Sequence, residues 1–448
     1  MRIKPSIPKG TRDFTPDIMF RREFIFKNVK SIFKNYGYSQ IETPAMENIQ
    51  TLTGKYGDEG DRLIFKVLNS GDYLKDIEID ENFSSKTLAS KITSKALRYD
   101  LTVPFARFVV QNQEKLTFPF KRYQMQNVWR ADKPQKGRFR EFFQCDVDIV
   151  GSNSLLSEVE LIQLTDDVFT SLCIPNVKIF INNRKVLVAM IDKMQSSEYF
   201  SDIVIALDKI DKIGIDNVKK EIMSKGVTLE SCDVLNDFIK CNSIADLENL
   251  LSDSDSSSNG LDELKFIFDS ISKLELKSCE IIFNITLARG LDYYTGCIFE
   301  VVTKDLNIGS IAGGGRYDDL TSVFGNNQLS GLGISFGIDR IYLVMEELGL
   351  FDIQIDKDPS VMFINFGNVE ALECLPILQE LRTSGIISEI YPDPTKIKKQ
   401  MSYANNKSFD FVVMYGENER KRGLISVKNM ATGQQEDLSV NDFIKKLN

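Results

Sequence analysis

Apolar and polar positions alternate along the chain with two different periods, and each period predicts one type of element. Between residues 17 and 35, apolar side chains recur at helical spacing with lysines and arginines between them, which predicts an amphipathic helix. Residues 69–94 are polar and are predicted to be an irregular insertion. The other elements predicted in the first 172 residues are strands at 39–43, 63–68, 120–129 and 142–150, and a helix at 155–172.

The middle of the chain has a different pattern. Residues 174–276 are acidic, are predicted to be largely helical and contain a low-complexity loop at 252–260, so we interpret them as an inserted helical module. A glycine run at 313–315 is predicted to precede a helix-like segment. After the module we predict strands at 280–285, 296–303 and 331–337, and a helix at 338–348.

The tail from about residue 359 alternates between strand and helix patterns. Strands are predicted at 361–366, 387–391 and 409–414, and helices at 370–384 and 395–405. This alternation predicts a small α/β domain with a partly parallel sheet. The polar segment 356–359 is the predicted linker in front of it.

Composition limits the class of protein. The 448 residues suggest two to four domains, and no apolar run is long enough to span a bilayer. We expect no signal peptide, because no apolar stretch follows the first charges, and no zinc motif, because the seven cysteines are scattered. These features predict a cytoplasmic protein. The net charge of -9 argues weakly against binding of nucleic acid. The segment from Lys121 to Arg140, however, contains seven basic residues and only one acidic residue.

The chain contains no histidine. Ser-His-Asp and Cys-His hydrolysis are therefore excluded, and so are zinc sites with histidine ligands. Any chemistry must depend on arginine, carboxylates, the backbone and the substrates themselves.

A basic hairpin is the first candidate site. Arg130 and Asp132 stand at the end of a predicted strand, a polar turn follows at 133–138, and Phe142 opens the return strand. An arginine in this position can hold a phosphate bidentately, and Phe142 can stack on a flat base. The alternative is a surface hairpin whose charges prevent edge-to-edge aggregation.

Three further segments carry candidate chemistry. Residues 289–296 combine an arginine with Tyr293 and Tyr294, which predicts either a polar pocket wall or two core tyrosines. The glycines at 313–315 lack the pattern of a phosphate loop, and they indicate a place where the backbone closely approaches a ligand or another strand. Arg340 falls in the first turn of a helix, where the macrodipole disfavours a cation, so an anionic ligand is expected there.

Together these segments resemble the histidyl-tRNA synthetase family of class II aminoacyl-tRNA synthetases. Three resemble class-wide motifs: the helix and strand ending at Pro44, residues 130–142, and residues 333–340. Residues 97–104 and 287–294 resemble segments particular to this family, and the resemblance runs from about Pro8 to the C-terminus.

The resemblance implies an α+β fold. A six- to seven-stranded antiparallel sheet with flanking helices would form a catalytic domain from residues 1–172 and 277–350. Residues 173–276 would be a helical insertion domain, and residues 358–448 an α/β anticodon-binding domain. The family is homodimeric.

The resemblance also assigns roles to residues around ATP. Arg130 would hold the α-phosphate and Arg340 the γ-phosphate, while Phe142 would stack on adenine. Asp132 would bond near the adenine or orient the arginine. Arg289 would lie between the substrate carboxylate and the α-phosphate. ATP and Mg²⁺ are implied, with no metal fixed by the protein alone.

The remaining implied roles concern histidine and tRNA. Asp100, Thr102 and Gln144 would hold the α-ammonium, beside Leu101. Asp148 and Tyr294 would bind the two ring nitrogens, and Tyr293 would complete the wall. Lys133 and Gln135 would contact the extra 5′ guanosine of tRNA(His).

The implied activity is a histidine–tRNA ligase. It would convert L-histidine and ATP to histidyl-adenylate and then transfer the histidyl group to tRNA(His), releasing AMP and pyrophosphate. One alternative is the regulatory subunit of ATP phosphoribosyltransferase, which resembles the catalytic domain but usually lacks the anticodon domain. Another is a threonyl or prolyl synthetase, although the threonine enzyme needs a zinc site with histidine.

Overall fold

The computed structural model describes residues 3–75, 84–252, 258–288, 293–306, 308–319, 321–325, 329–354 and 358–447. The chain divides into two compact units, Met1–Ile353 and Gln354–Asn448. The first unit contains an eight-stranded sheet and a small three-stranded sheet, and the second unit contains a five-stranded sheet. Among the described residues, no helix is both long enough and apolar enough to cross a bilayer.

The strands are numbered in chain order. They are β1 Ser39–Gln40, β2 Met46–Asn48, β3 Lys66–Val67, β4 Lys95–Leu97, β5 Phe120–Trp129, β6 Glu141–Val150, β7 Val177–Asn183, β8 Cys279–Phe283, β9 Cys297–Thr303, β10 Ala312–Tyr317, β11 Gly331–Gly337, β12 Ser360–Phe363, β13 Ile387–Ile390, β14 Phe411–Met414, β15 Ile425–Asn429 and β16 Gln435–Leu438.

The helices are numbered in the same way. They are α1 Pro16–Asn35, α2 Ile49–Leu52, α3 Gly57–Arg62, α4 Ser85–Ile92, α5 Thr102–Asn112, α6 Leu156–Ser171, α7 Arg184–Lys193, α8 Phe200–Leu207, α9 Ile210–Ile213, α10 Ile215–Met223, α11 Leu229–Ile239, α12 Ile244–Leu251, α13 Ser258–Ile271, α14 Ile338–Glu347, α15 Leu350–Gln354, α16 Asn368–Thr383, α17 Ile397–Asn406, α18 Glu417–Arg422 and α19 Val440–Leu447.

The first unit is built on an eight-stranded sheet. Its strand order is β1-β5-β6-β11-β10-β9-β7-β8. The two outermost pairs, β1 with β5 and β7 with β8, are parallel, and the five pairs between them are antiparallel. The predicted α+β class is therefore confirmed, with one strand more than the six to seven expected.

The two faces of the central strands differ because successive side chains point to opposite sides. One face is aromatic: Phe33 of α1 packs on Tyr123 and Phe336 with ring centroids 5.5 and 5.7 Å apart, and Phe169 of α6 lies 5.9 Å from Phe336. All four rings are buried, and burying a phenylalanine contributes about 1.5–3 kcal/mol. The long helix predicted at 17–35 is confirmed, and its buried face anchors the sheet so that the polar face is free to form a site.

The stretch predicted to be an inserted helical module does not begin with a helix. The stretch 173–276 begins with β7, which pairs with both β8 and β9 in the main sheet, and its helices run from α7 to α13. The carboxylate of Asp166 accepts backbone N–H bonds of 2.7–2.9 Å from Lys277, Ser278 and Cys279. It thereby fixes the point where the chain returns from the module to the sheet.

Three local predictions were wrong. The strand predicted at 63–68 is only β3, and the polar stretch 69–94 contains a helix, α4, although residues 76–83 lie outside the described part. The glycines at 313–315 lie inside β10 and do not precede a helix. Their predicted role in close approach is confirmed, since a Cβ on Gly314 would lie 2.0 Å from the carbonyl oxygen of Gly333.

The second unit contains a five-stranded sheet of order β13-β12-β14-β15-β16. The pairs among β13, β12 and β14 are parallel, whereas β14, β15 and β16 pair antiparallel. The predicted α/β domain with a partly parallel sheet is therefore confirmed. Its core includes Phe363, Leu378, Val413 and Phe443, all fully buried.

Candidate active site

The polar face of the sheet is set by strand register. Across β5 and β6, Arg122 lies opposite Asp148 and Gln124 lies opposite Asp146. On the other side of β6, Asp148 faces Gly333 of β11, and Asp146 faces Ser335. Direct cross-strand neighbours have Cβ atoms about 5 Å apart, so the alternation of each strand assembles one row of polar groups.

Asp148 is held between an arginine and a tyrosine. The Arg122 guanidinium lies 2.8 Å from Oδ2 of Asp148, and the Tyr317 hydroxyl donates to Oδ1 at 2.6 Å. Burial raises the pKa of Asp148, while the charge of Arg122 opposes this rise. Gly333 is required here, because a Cβ would lie 2.0 Å from Oδ1 of Asp148.

Asp100 is fixed just before α5. Its Oδ1 accepts from the Tyr56 hydroxyl at 2.9 Å and from the Val103 N–H at 3.1 Å. Its Oδ2 is buried and has no hydrogen-bond partner within the described part of the chain. Burial raises the pKa of Asp100, whereas the Val103 N–H and the charge of Arg130 lower it. The next carbonyl, of Leu101, accepts from Arg122 at 3.4 Å.

The tyrosine pair lies beside these carboxylates. The rings of Tyr293 and Tyr294 meet edge to face at 4.9 Å, and Tyr293 meets Tyr317 at 6.1 Å. Thr102, at the start of α5, acts on the Tyr293 hydroxyl as a hydrogen-bond donor that opposes the effect of burial on its pKa. Burial raises the pKa of Tyr293 well above its usual value, so its hydroxyl stays neutral. The predicted residues Thr102, Tyr293 and Asp148 are thus connected through Tyr317.

Gln144 and Asp146 stand one pleat apart on β6. The Gln144 amide donates to the Ser335 hydroxyl at 2.7 Å, and its Oε1 is buried with no hydrogen-bond partner in the described part of the chain. Burial raises the pKa of Asp146 to about 7, against the lowering effect of Arg122. Oδ1 of Asp146 is also buried and has no partner among those residues.

Arg130 is oriented by backbone and rings. Its Nε donates to the Tyr99 carbonyl at 3.0 Å. The guanidinium lies 4.3 Å from the ring centroid of Tyr99 and 5.2 Å from that of Phe142. The Tyr99 ring is 4.5 Å from Tyr56, which bonds Asp100. The arginine therefore stands between the Asp100 pocket and the aromatic strand end, with its remaining donors available to a ligand.

The basic hairpin is closed by its own charges. Arg138 pairs with the buried Asp132 at 2.9 Å, and Arg340 of α14 donates to the Gly137 carbonyl at 3.2 Å. Arg340 also donates to the Ser310 carbonyl at 2.5 Å, so it lies against the hairpin that follows Arg130. Lys133 and Gln135 are exposed on the hairpin. Arg289 belongs to residues 289–292, which lie outside the described part.

The comparison with protein families decides the class of this protein. The family model described as histidyl-tRNA synthetase matches residues 85–341, and one described as an anticodon-binding domain matches residues 360–448. The chain belongs to the histidyl-tRNA synthetase family.

Relatives are similar in sequence to this synthetase over its full length. The histidine–tRNA ligase of Phocaeicola vulgatus is 51% identical, with 99% of each chain covered, and that of Christiangramia forsetii is 51% identical, with 98% covered. A crystal structure of histidyl-tRNA synthetase from Nostoc has a TM-score of 0.80 at 26% identity and covers 100% of this chain and 99% of its own. A Bacillus halodurans structure, described as a regulatory subunit of ATP phosphoribosyltransferase or histidyl-tRNA synthetase, shares the fold at 19% identity and a TM-score of 0.70, covering 90% and 97%.

Sequence reasoning did not select several residues of this candidate site. Arg122, Tyr317 and Ser335 each contact a predicted site residue, yet none was chosen. A usable signal was present in the strands, where polar side chains recur at every second position of β5 (Arg122, Gln124, Gln126) and of β6 (Gln144, Asp146, Asp148). Such a polar row on a central strand is costly unless a ligand or partner satisfies it.

Acidic side chains do not form a dedicated metal cage in the described ranges, where no group of three or more His, Cys, Asp or Glu could hold an ion. The Mg²⁺ that the resemblance implies would keep several waters and be bound largely through substrate phosphates. The ion would neutralise phosphate charge when it arrives with ATP.

Proposed function

We propose that this protein is a histidine–tRNA ligase that activates L-histidine with ATP and transfers it to tRNA(His). The observation that carries the proposal is the full-length identity of about half with histidine–tRNA ligases. The polar face adds a physical reason. Its buried atoms without a hydrogen-bond partner in the described ranges include the acceptors Asp100 Oδ2, Gln144 Oε1 and Asp146 Oδ1, which call for a ligand that brings N–H donors.

The histidine pocket is proposed on this basis. The α-ammonium would lie between Asp100, Thr102 and Gln144, beside Leu101. It would donate to the Thr102 hydroxyl and to the Asp100 and Gln144 oxygens that have no partner among the described residues. The imidazole would lie between Asp148 and Tyr294 with Tyr293 as its wall. A pocket whose buried polar groups need both ring nitrogens rejects analogues that lack one of them, so editing is unnecessary.

ATP would occupy the neighbouring space. Phe142 would stack on adenine beside Asp132, Arg130 would bind the α-phosphate, and Arg340 the γ-phosphate. Arg130 already has a fixed plane between two rings, which lowers the cost of orienting it on the phosphate. Arg289 would stabilise the charge that develops between the histidine carboxylate and the α-phosphate.

The reaction then needs two displacements. A histidine carboxylate oxygen attacks the α-phosphorus, the bond to the bridging oxygen breaks, and pyrophosphate leaves. A ribose hydroxyl of the terminal adenosine of tRNA next attacks the activated carbonyl carbon, and AMP leaves. The hydroxyl proton can pass to a phosphate oxygen of the adenylate, so the absence of histidine from the chain is no obstacle.

Binding of tRNA(His) would use both units. Lys133 and Gln135 on the exposed hairpin would meet the extra 5′ guanosine, and residues 358–448 would bind the anticodon. The catalytic residues would belong to 1–172 and 277–350, with the helical insertion between them. A cytoplasmic location belongs to this proposal, because the substrate tRNA is there.

We also propose a homodimer through α1. A groove of about 430 Å³ lies along this helix, lined by Phe26, Met125 and Phe143 among lysines. Met19 and Phe20 of the same helix are 41% and 44% exposed. Burying such apolar side chains against a second copy would stabilise a dimer. Light scattering at micromolar concentration tests this, and a monomer would contradict it.

Pyrophosphate exchange tests the function. Exchange that depends on histidine, and on none of the other nineteen amino acids, is expected for the purified protein. Arg289→Ala should remove nearly all exchange while the circular dichroism spectrum stays unchanged. Absence of exchange in the unmodified protein would instead favour the regulatory subunit, and dependence on threonine or proline would favour another synthetase.

A further inference from the structure

The side-chain amide of Gln144 has one end engaged and one end free. Its nitrogen donates to the Ser335 hydroxyl at 2.7 Å, and its oxygen is buried without a hydrogen-bond partner among the described residues. An amide can turn by 180° and exchange these ends, and the exchanged form would offer N–H donors toward the substrate. A substrate ammonium needs acceptors, so one of the two orientations binds it and the other repels it.

The orientation of the Gln144 amide depends on whether the Ser335 hydroxyl donates or accepts the hydrogen bond between them. A serine hydroxyl has one hydrogen to donate and two lone pairs to accept. Ser335 lies directly opposite Asp146 in the β6–β11 pair, and it lowers the pKa of the buried Asp146 carboxylate as a hydrogen-bond donor, against the larger effect of burial. A hydroxyl whose hydrogen is directed at Asp146 accepts from Gln144, which agrees with the 2.7 Å contact between the Gln144 amide nitrogen and the Ser335 hydroxyl.

Gln124, the neighbour of Asp146 on the other side, does not donate a hydrogen bond to the Asp146 carboxylate. Gln124 lies opposite Asp146 across β5, but its amide nitrogen donates to Thr43 Oγ1 at 2.8 Å and to the Gln126 side chain at 2.6 Å. Both hydrogens of that amide point away from Asp146. Of the two direct cross-strand neighbours, Ser335 is therefore the donor to this carboxylate.

We infer that Ser335, held by Asp146, is a positioning residue that fixes the Gln144 amide with its oxygen turned toward the α-ammonium of the substrate. This inference rests on the proposed function, since it takes the ammonium of histidine as the ligand. Asp146 and Ser335 act through Gln144. Their effect should therefore be confined to ligands that carry an ammonium group.

Two ligands separate this role from a general loosening of the pocket. L-Histidinol keeps the ammonium and the imidazole, whereas imidazolepropionate keeps the imidazole and the carboxylate but has no ammonium. Inhibition constants of both are measured in histidine-dependent pyrophosphate exchange by the full chain. Assays at pH 8 keep Asp146 ionised, because its pKa is about 7 and is set by burial together with the charges of Arg122, Asp148 and Asp100.

Ser335→Ala should weaken the binding of histidinol by about 10-fold or more, since a hydrogen bond to a charged group contributes about 1.5–3 kcal/mol. Imidazolepropionate should bind as to the unmodified protein. Ser335→Thr retains the hydroxyl and should restore histidinol binding. Ser388→Ala, at a buried strand serine of the second unit, is the matched control and should change neither constant.

Equal weakening of both ligands, or no weakening of either, would overturn the inference. If Ser335→Ala does not fold, Asp146→Asn takes its place. The asparagine amide can donate to Ser335 and release the hydroxyl hydrogen, so the same selective loss of histidinol is expected and the same outcomes decide. Loss of histidine-dependent exchange in the unmodified protein would refute the proposed function instead, which keeps the two failures distinct.

Discussion

Arg122 and Asp148 form an ion pair of 2.8 Å inside the first unit, with side-chain exposures of 0% and 3%. They are direct cross-strand neighbours on β5 and β6. Two charges this deeply buried depend on each other, because the desolvation cost of each is offset mainly by its partner. The pair also sets the charge of the pocket in which histidine is proposed to bind.

Arg122→Met should lower the free energy of unfolding by about 3–5 kcal/mol, because Asp148 is left buried without its counter-charge. The double variant Arg122→Met with Asp148→Asn should recover part of this loss. Urea denaturation measures both. An Arg122→Met protein as stable as the unmodified one would mean that Asp148 is neutral in the folded chain.

Arg130→Lys should reduce the rate of pyrophosphate exchange by about 10²–10³-fold, since lysine keeps the charge but loses the planar donors aimed at a developing negative charge. The control is Arg138→Lys on the same hairpin. Its partly exposed pair with Asp132 contributes up to about 1 kcal/mol, so exchange should fall by less than about fivefold. Similar losses in both variants would contradict a specific role for Arg130.

Asp146 should make stability depend on pH. Between its unfolded pKa of about 3.9 and its folded pKa of about 7, the folded chain holds a proton that the unfolded chain has released. The free energy of unfolding therefore falls as pH rises through this window and levels off above it.

Asp146→Asn removes this contribution. From pH 5 to pH 8 the variant should gain about 2 kcal/mol relative to the unmodified protein, measured by urea denaturation at each pH. Arg122, Asp148 and Asp100 face Asp146 in both proteins, so their own titration largely cancels in the difference. Parallel stability curves would show that Asp146 is ionised throughout.

Glu158→Gln should affect stability and leave substrate binding unchanged. Glu158 is fully buried and accepts two bonds of 2.6 Å from Arg316, which is also held by Ser330 and the Ser152 carbonyl. Breaking a buried pair costs about 3–5 kcal/mol. The KM values for histidine and ATP should stay as they are, and a selective rise in either would place this pair in the site.

The sequence by itself determined the local secondary structure along the chain. The helical period of α1, the alternation in β6 and the strand-to-helix change at β11 and α14 all depend on neighbours a few residues apart, so they could be predicted. The family could also be recognised, because its motifs are short contiguous segments. Pro44 and the glycines of β10 were informative because their backbone constraints are local.

Tertiary structure alone decided the partners of these segments. That β7 joins the main sheet, and that Arg122, Tyr317 and Ser335 reach Asp148 and Gln144, depends on a register between strands that lie up to about 200 residues apart in the chain. A shift of one residue would turn each of these side chains to the other face, and no local pattern records which register is chosen. The sum of long-range packing fixes the register, and the register in turn fixes which polar groups meet in the site.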